Sequence, residues 1–219
     1  MPKRDYQTLE ANLQQFIQTT SHELRDPIRL IINSCESSPP KQDIAFIKQQ
    51  AQLLLERVDL IKEIYALSVL PLKQEEVSAH DVLMDVLFEK KTVIEAAQAS
   101  ITHDELPSLT ADRKQLHRLM AELIQNAIDA ANAEPASIHI SAKKHENMWK
   151  FSVRDNGKGM DEAYFSIIFI LFQKLDNQSP KHGAGLAFAK TIVENHGGII
   201  WMESEENKGT TCFFKLPVT

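Results

Sequence analysis

Residues 44–65 read IAFIKQQAQLLLERVDLIKEIY, and this run decides the first part of the fold. Ile44, Ile47, Ala51, Leu54, Val58, Ile61 and Tyr65 recur at alternating intervals of three and four, which lays one apolar stripe along a helix and suits a seam between helices. Leu53, Leu55, Leu60 and Ile64 widen that stripe beyond what a single partner helix covers. Upstream, Tyr6, Leu9, Leu13, Phe16, Thr20 and Leu24 follow similar spacing. Between the two runs lies Ser37-Ser38-Pro39-Pro40, which breaks the helix because proline lacks an amide donor and clashes with the preceding turn. The expectation is a helical hairpin with no third element to cover its apolar surface. A second copy would complete a four-helix bundle; packing on the chain's own downstream residues is the competing arrangement.

After Pro71 the pattern changes to alternating helical and strand-like segments, which places a boundary within 70–74 and divides the chain into 1–70 and 71–219. Helices are expected over 79–97, 112–132 and 184–196. Strands are expected over 136–143, 149–154, 199–204 and 210–216, where β-branched and aromatic residues gather. Strands adjacent in sequence near the C-terminus imply antiparallel pairing within a mixed sheet, so the fold class is α+β, a hairpin followed by an α/β sandwich.

Composition narrows the function classes. The 219 residues are 43% hydrophobic and 25% charged, with a formal net charge of -6 and no block of Lys and Arg, which argues against nucleic acid as a partner. The longest apolar stretch, Ile167 to Phe172, is far short of a bilayer span of roughly 20 residues, and the polar start carries no export signal. Cys35 and Cys212 are far apart with no CxxC spacing, so a cytoplasmic chain with reduced thiols is expected.

Four segments carry chemistry. His22, in Thr20-Ser21-His22-Glu23-Leu24-Arg25-Asp26-Pro27, falls off the apolar stripe and is expected to face water as an available nucleophile; Glu23 could orient or deprotonate one ring nitrogen while the other attacks. Pro27 is expected to kink the helix one turn later. On the helix near 112–132, Glu122, Asn126 and Asp129 form a polar stripe beside Leu116, Leu119, Met120, Leu123, Ala127 and Ile128, and their oxygens suit a hard cation such as Mg²⁺. In Asp155-Asn156-Gly157-Lys158-Gly159 the glycines permit close backbone approach, and the acceptor-only Asp155 suits an exocyclic amine such as adenine's. Gly183-Ala184-Gly185-Leu186 opens a helix whose free amides suit phosphate, and the polar run before it resembles a lid with Lys174 and Lys181 as phosphate contacts. Singly, each also reads as an ordinary surface histidine, solvated helix face, hairpin turn or tight loop.

Taken in order, HELRDP, ELIQNA, DNGKG, IFILFQKL, GAGLAFAK and GTT resemble the H, N, G1, F and G2 boxes and closing Gly-Thr-Thr of sensor histidine kinases, most closely the phytochrome-like and cyanobacterial-type branch. The resemblance implies a dimerising phosphotransfer hairpin joined to a Bergerat-type ATP-binding domain. It implies that His22 accepts the γ-phosphoryl group with help from Glu23, that Asn126 and Glu122 hold Mg²⁺, and that Asp155 binds adenine. Gly157, Lys158, Gly159, Gly183, Gly185, Leu186 and Thr211 would shape the ATP pocket, with Phe169 and Phe172 anchoring the lid. It further implies a homodimer and a response-regulator receiver domain as partner. Four positions depart from the commonest pattern: Glu122 for a frequent Asn, Asp129 for a Lys, Asp26 for a Thr or Asn that supports regulator dephosphorylation, and Ala187 for a glycine. A phosphotransfer or scaffold protein with a vestigial ATPase domain is the alternative.

Overall fold

The computed structural model describes residues 3–36, 44–132, 135–173 and 183–218. It divides into two compact units, one formed by 1–66 with 170–184 and the other by 67–169 with 185–219.

The first unit carries α1 (Lys3–Glu36) and most of α2 (Ile44–Val69). The expected break at 37–40 lies outside the described residues. Helix α1 continues through Pro27, which is buried. Proline at that position leaves the Glu23 carbonyl without its usual helical donor. The Arg57 guanidinium from α2 supplies one instead, through Nη1, so the chain stays helical across a residue that normally interrupts a helix. Ile17, Ile28, Leu30 and Ile32 of α1 and Ile44, Leu55, Val58 and Tyr65 of α2 are exposed, and none of the described residues of α2 is buried.

The second unit holds β1 (Gln74–Ser78), α3 (Ala79–Glu89), α4 (Lys91–Ala96), β2 (Ser100–His103), β3 (Ser108–Asp112), α5 (Arg113–Asp129), β4 (Ser137–His145), β5 (Met148–Asp155), α6 (Gly185–Asn195), β6 (Ile199–Glu205) and β7 (Gly209–Pro217). The main sheet has the order β2-β4-β5-β7-β6, with β2 parallel to β4 and the other pairs antiparallel; β1 and β3 form a separate two-stranded sheet. Phe151 lies opposite Phe214 and Val153 opposite Cys212, and these side chains face inward with Ile138, Ile140 and Leu216 to meet α5 and α6. The Phe151 and Phe214 rings stack at 4.8 Å between centroids.

The structure corrects two expectations. The helix expected over 79–97 is two helices meeting at Lys90, and the short strands β1, β2 and β3 were not anticipated. Strand β1 reads Gln-Glu-Glu-Val-Ser with its first three residues exposed, so it lacks the apolar alternation that marks a half-buried strand.

Helix α5 is anchored at its start by the buried Asp112. Its Oδ1 accepts from the amides of Lys114 (3.0 Å) and Gln115 (3.1 Å), and Oδ2 accepts from the Lys73 amide (3.0 Å). The Asp112 N–H donates to His196 Nε2 at 3.0 Å, which requires the tautomer whose Nδ1–H donates to the Ile192 carbonyl at 2.8 Å. Burial alone would raise the Asp112 carboxyl; the Lys73, Gln115 and Lys114 amides outweigh it and hold the group below its ordinary value. Asp112→Ala is therefore expected to cost about 1–2 kcal/mol at pH 7 in urea denaturation. A depressed folded-state value stabilises the fold fully above the unfolded value of 3.8. The gap between wild type and variant should accordingly close as pH falls below that value and through the lower folded one.

Candidate active site

The second unit contains a small cavity of about 70 Å³ lined by Leu123, Asn126, Ala127, Ala130, Val153, Asp155, Met160, Leu186, Met202, Thr210 and Cys212. Residues of α5, α6, β5, β6 and β7 meet there. The end of β5 delivers Asp155, the second half of α5 delivers Asn126, and β7 forms the floor.

Asp155 is buried, and its Oδ1 accepts from the amides of Gly157 (2.8 Å) and Thr210 (3.0 Å). Both bonds fall on one oxygen, which leaves Oδ2 as the acceptor available to a ligand. Burial pushes the Asp155 carboxyl up from its ordinary value, against the lowering effect of the two amides. The neighbouring Cys212 thiol is likewise pushed up, first by burial and then by the Asp155 charge, so it stays a neutral wall of the cavity. The turn after Asp155 is tied down by Asn156, whose side chain accepts from the Ser137 amide (2.7 Å) and donates to the Pro135 carbonyl (3.2 Å). At Gly157 an added Cβ would strike the Ala130 carbonyl, so only glycine lets this turn lie against the end of α5. Gly159 adopts a positive φ of 63°. Lys158 contributes backbone bonds to Ala130 and Asn207, while its side chain is exposed.

At the opposite wall, the start of α6 lies directly over α5. A Cβ on Gly185 would come within 2.8 Å of Glu122 Oε2 and 3.5 Å of Asn126 Oδ1. Glu122 Oε1 lies 3.6 Å from Arg118 Nε. The Asn126 amide nitrogen is buried and has no hydrogen-bond partner among the described residues. An orphaned donor beside the open amides of a helix start matches an anionic ligand, and the amide and carboxylate oxygens at Asn126 and Glu122 match a hard cation.

Thr211 does not line this cavity. Strand β7 alternates, so Thr210 and Cys212 point inward while Thr211 pairs between Arg154 and Glu203 on the other side. The period-two run of Cys212, Phe214 and Leu216 carried that register in the sequence. The apolar walls Met160 and Met202 left no comparable signal.

In the first unit, the His22 side chain is 75% exposed and its Nδ1 lies 3.2 Å from Asp26 Oδ2. Glu23, expected to assist it, instead pairs with Arg57 at 2.7 Å. Phe172 is buried at a positive φ of 69°, its amide donates to the Gly183 carbonyl (2.9 Å), and the Arg57 guanidinium lies 5.9 Å from its ring centre. Lys174 and Lys181 lie outside the described residues, and Phe169 packs against the core of the second unit.

Residues 111–219 match the family of histidine kinase-, DNA gyrase B-, and HSP90-like ATPases. Across 98% of its length the chain is 32% identical to cyanobacterial phytochrome A of Nostoc sp. strain PCC 7120, of which it spans 30%. The chain belongs to the sensor histidine kinases. Among solved structures, the catalytic domain of histidine kinase ThkA aligns at 26% identity with a TM-score of 0.60, over 68% of this chain and 97% of that one. ThkA in complex with the response regulator protein TrrA aligns over 99% of this chain and 65% of that one with a TM-score of 0.71; at 23% identity that likeness is one of fold. The chain spans between 25% and 30% of the length of the first three curated relatives.

If the Asn126 amide serves a ligand and not the fold, Asn126→Ala should separate the two. We expect its thermal midpoint to match or exceed that of wild type, because an unpaired buried donor costs about 1–3 kcal/mol. Affinity for Mg²⁺ and ATP, followed by calorimetry, should fall ten-fold or more. A variant that loses stability and keeps affinity would make Asn126 a structural residue.

Proposed function

We propose that this histidine kinase core phosphorylates its own His22 with ATP and passes the phosphoryl group to an aspartate of a response-regulator receiver domain. The observation that carries the reading is that one chain holds both a solvent-exposed imidazole on α1 and, in its ATPase-type unit, a buried acceptor, Asp155. Asp155 Oδ2 would accept from the adenine amine against the apolar walls of Leu123, Met160, Leu186 and Met202. Asn126 and Glu122 would hold Mg²⁺, which neutralises phosphate charge during transfer. His22 would attack the γ-phosphorus through a ring nitrogen; the N–P bond forms as the bond from γ-phosphorus to the bridging oxygen breaks, and ADP leaves with that electron pair.

The exposed apolar residues of α1 and α2 support a homodimer through the hairpin, because a lone pair of helices leaves its stripe in water. Light scattering after size exclusion should give twice the chain mass for wild type. Leu55→Glu with Val58→Glu, which places four charges in a two-fold bundle, should give the monomer.

Incubation with γ-labelled ATP and Mg²⁺ should put an acid-labile, alkali-stable label on wild type and none on His22→Ala. If both proteins bind nucleotide and neither is labelled, the chain is a relay or scaffold and the kinase reading fails.

A further inference from the structure

We infer that the open face of the main sheet is a docking site for an acidic helix of another protein, held by a row of three lysines beside an aromatic pair.

The strand registers build the row. Lys143 of β4 stands opposite Lys150 of β5, and Lys150 stands opposite Lys215 of β7, so three ammonium groups project from adjacent strands on one face. Like charges directly opposite one another destabilise a sheet. The arrangement occurs in a chain whose formal net charge is -6. No ion pair joins these lysines to a carboxylate among the described residues. On the same face, Glu203 shares its cross-strand row with Arg154, both opposite Thr211, and Glu205 pairs with Lys208. The row therefore repels itself in the free protein, and an anionic partner would offset that repulsion.

The next row supports the charges. Trp201 of β6 lies opposite Phe213 of β7, and their rings stack at 5.3 Å between centroids. Lys150 Nζ lies 4.0 Å from the Phe213 ring centre and 5.2 Å from that of Trp201, and Lys215 Nζ lies 5.9 Å from Trp201. Ring faces attract cations, so two of the three charges are held against the sheet. Less side-chain freedom then remains to be lost when carboxylates meet them.

The same contacts choose the class of partner. A nucleic acid on a sheet stacks its bases on open ring faces, whereas these rings stack on each other beneath lysines. A membrane surface takes up large apolar side chains, and among the described residues of this face only Ile199 is exposed at that size. A protein surface rich in carboxylates fits both observations. Neighbouring strands lie about 4.8 Å apart, so the row spans about 10 Å. Two turns of helix rise about 11 Å, which sets glutamates at i, i+4 and i+7 over successive lysines. The face is the reverse of the cavity wall, since Trp201 and Phe213 alternate with Met202 and Cys212, which line the cavity.

The test titrates the ¹⁵N-labelled 219-residue chain at low salt with an acetylated, amidated helical peptide carrying glutamates at i, i+4 and i+7. Backbone shifts should gather on β5, β6 and β7 around Lys150, Trp201 and Lys215, and binding should weaken as salt rises. Lys150→Met with Lys215→Met keeps the aliphatic stems on the rings and removes two charges. This double variant should keep the ATP affinity of wild type while its Kd for the peptide rises about ten-fold. Lys143→Ser, at the exposed end of the row and off the rings, should raise Kd about three-fold and decides the matter if the double variant fails to fold. A wild-type chain that ignores the peptide overturns the inference, as do shifts confined to other surfaces or a Kd that the variants leave unchanged. Equal or tighter uptake of single-stranded DNA or of phosphatidylserine vesicles overturns it too, because the face would then be a general anion site.

Discussion

One oxygen holds the nucleotide-binding half together: Asp155 Oδ1, which accepts from Gly157 N–H and Thr210 N–H. The first bond closes the turn that follows β5, and the second ties that turn to the neighbouring strand β7. Burying a carboxylate is unfavourable, and its raised pKa records that cost. The two amides offset part of it. What remains is an acceptor whose second oxygen neither amide occupies, beside a mostly apolar cavity, a state that a donor from outside the protein would relieve. The fold thus carries an unmet electrostatic demand where specificity for a ligand amine would arise.

That demand is useful only if α5 stands correctly beside it, which makes the distant N-terminus of α5 part of the same design. Asp112 joins the Lys73 amide and the first turn of α5 through one carboxylate, and its own amide reaches His196 just after α6. The two helices that present Asn126 and Gly185 to each other are therefore fixed at the far end by a chain of buried hydrogen bonds. Along α5, Leu116, Leu119, Leu123 and Ile128 face the core while Glu122 and Asn126 stay partly accessible. An amphipathic period is enough to place a polar pair opposite a glycine when the cap sets the rotation.

Much of this was legible before any coordinates, for physical reasons that can be named. Long apolar periods are strong signals, so α1, α2, α5 and α6 were readable, as were β4 to β7 with their antiparallel pairing. Asp155, Asn126 and Gly185 were singled out by the order of their segments along the chain, since each alone also reads as a turn, a solvated helix face or a tight loop. What the sequence hid was short or relational. Strands β1, β2 and β3 have only four or five residues each, too few for a period of two to stand out. The partner of Glu23 lies 34 residues away on another helix, and no local pattern announces it.

Arg57 shows why such a partner matters. Proline at position 27 removes one backbone bond at the turn that carries His22, and a helix normally kinks there. A single guanidinium donates to the orphaned Glu23 carbonyl and neutralises the Glu23 carboxylate, so the turn is held from α2. The His22 side chain can then be exposed on a turn that is not loose. On the proposed reading, binding and attack make opposite demands on a site: an acceptor for adenine would gain strength from burial, while an acceptor imidazole would have to be reachable by a phosphoryl group and later by another protein. This chain meets the first demand with a buried carboxylate in a sheet and the second with an exposed histidine on a helix whose backbone is pinned from behind. Phosphoryl transfer asks mainly for position and charge neutralisation, and a rigid exposed turn supplies position without a pocket of its own.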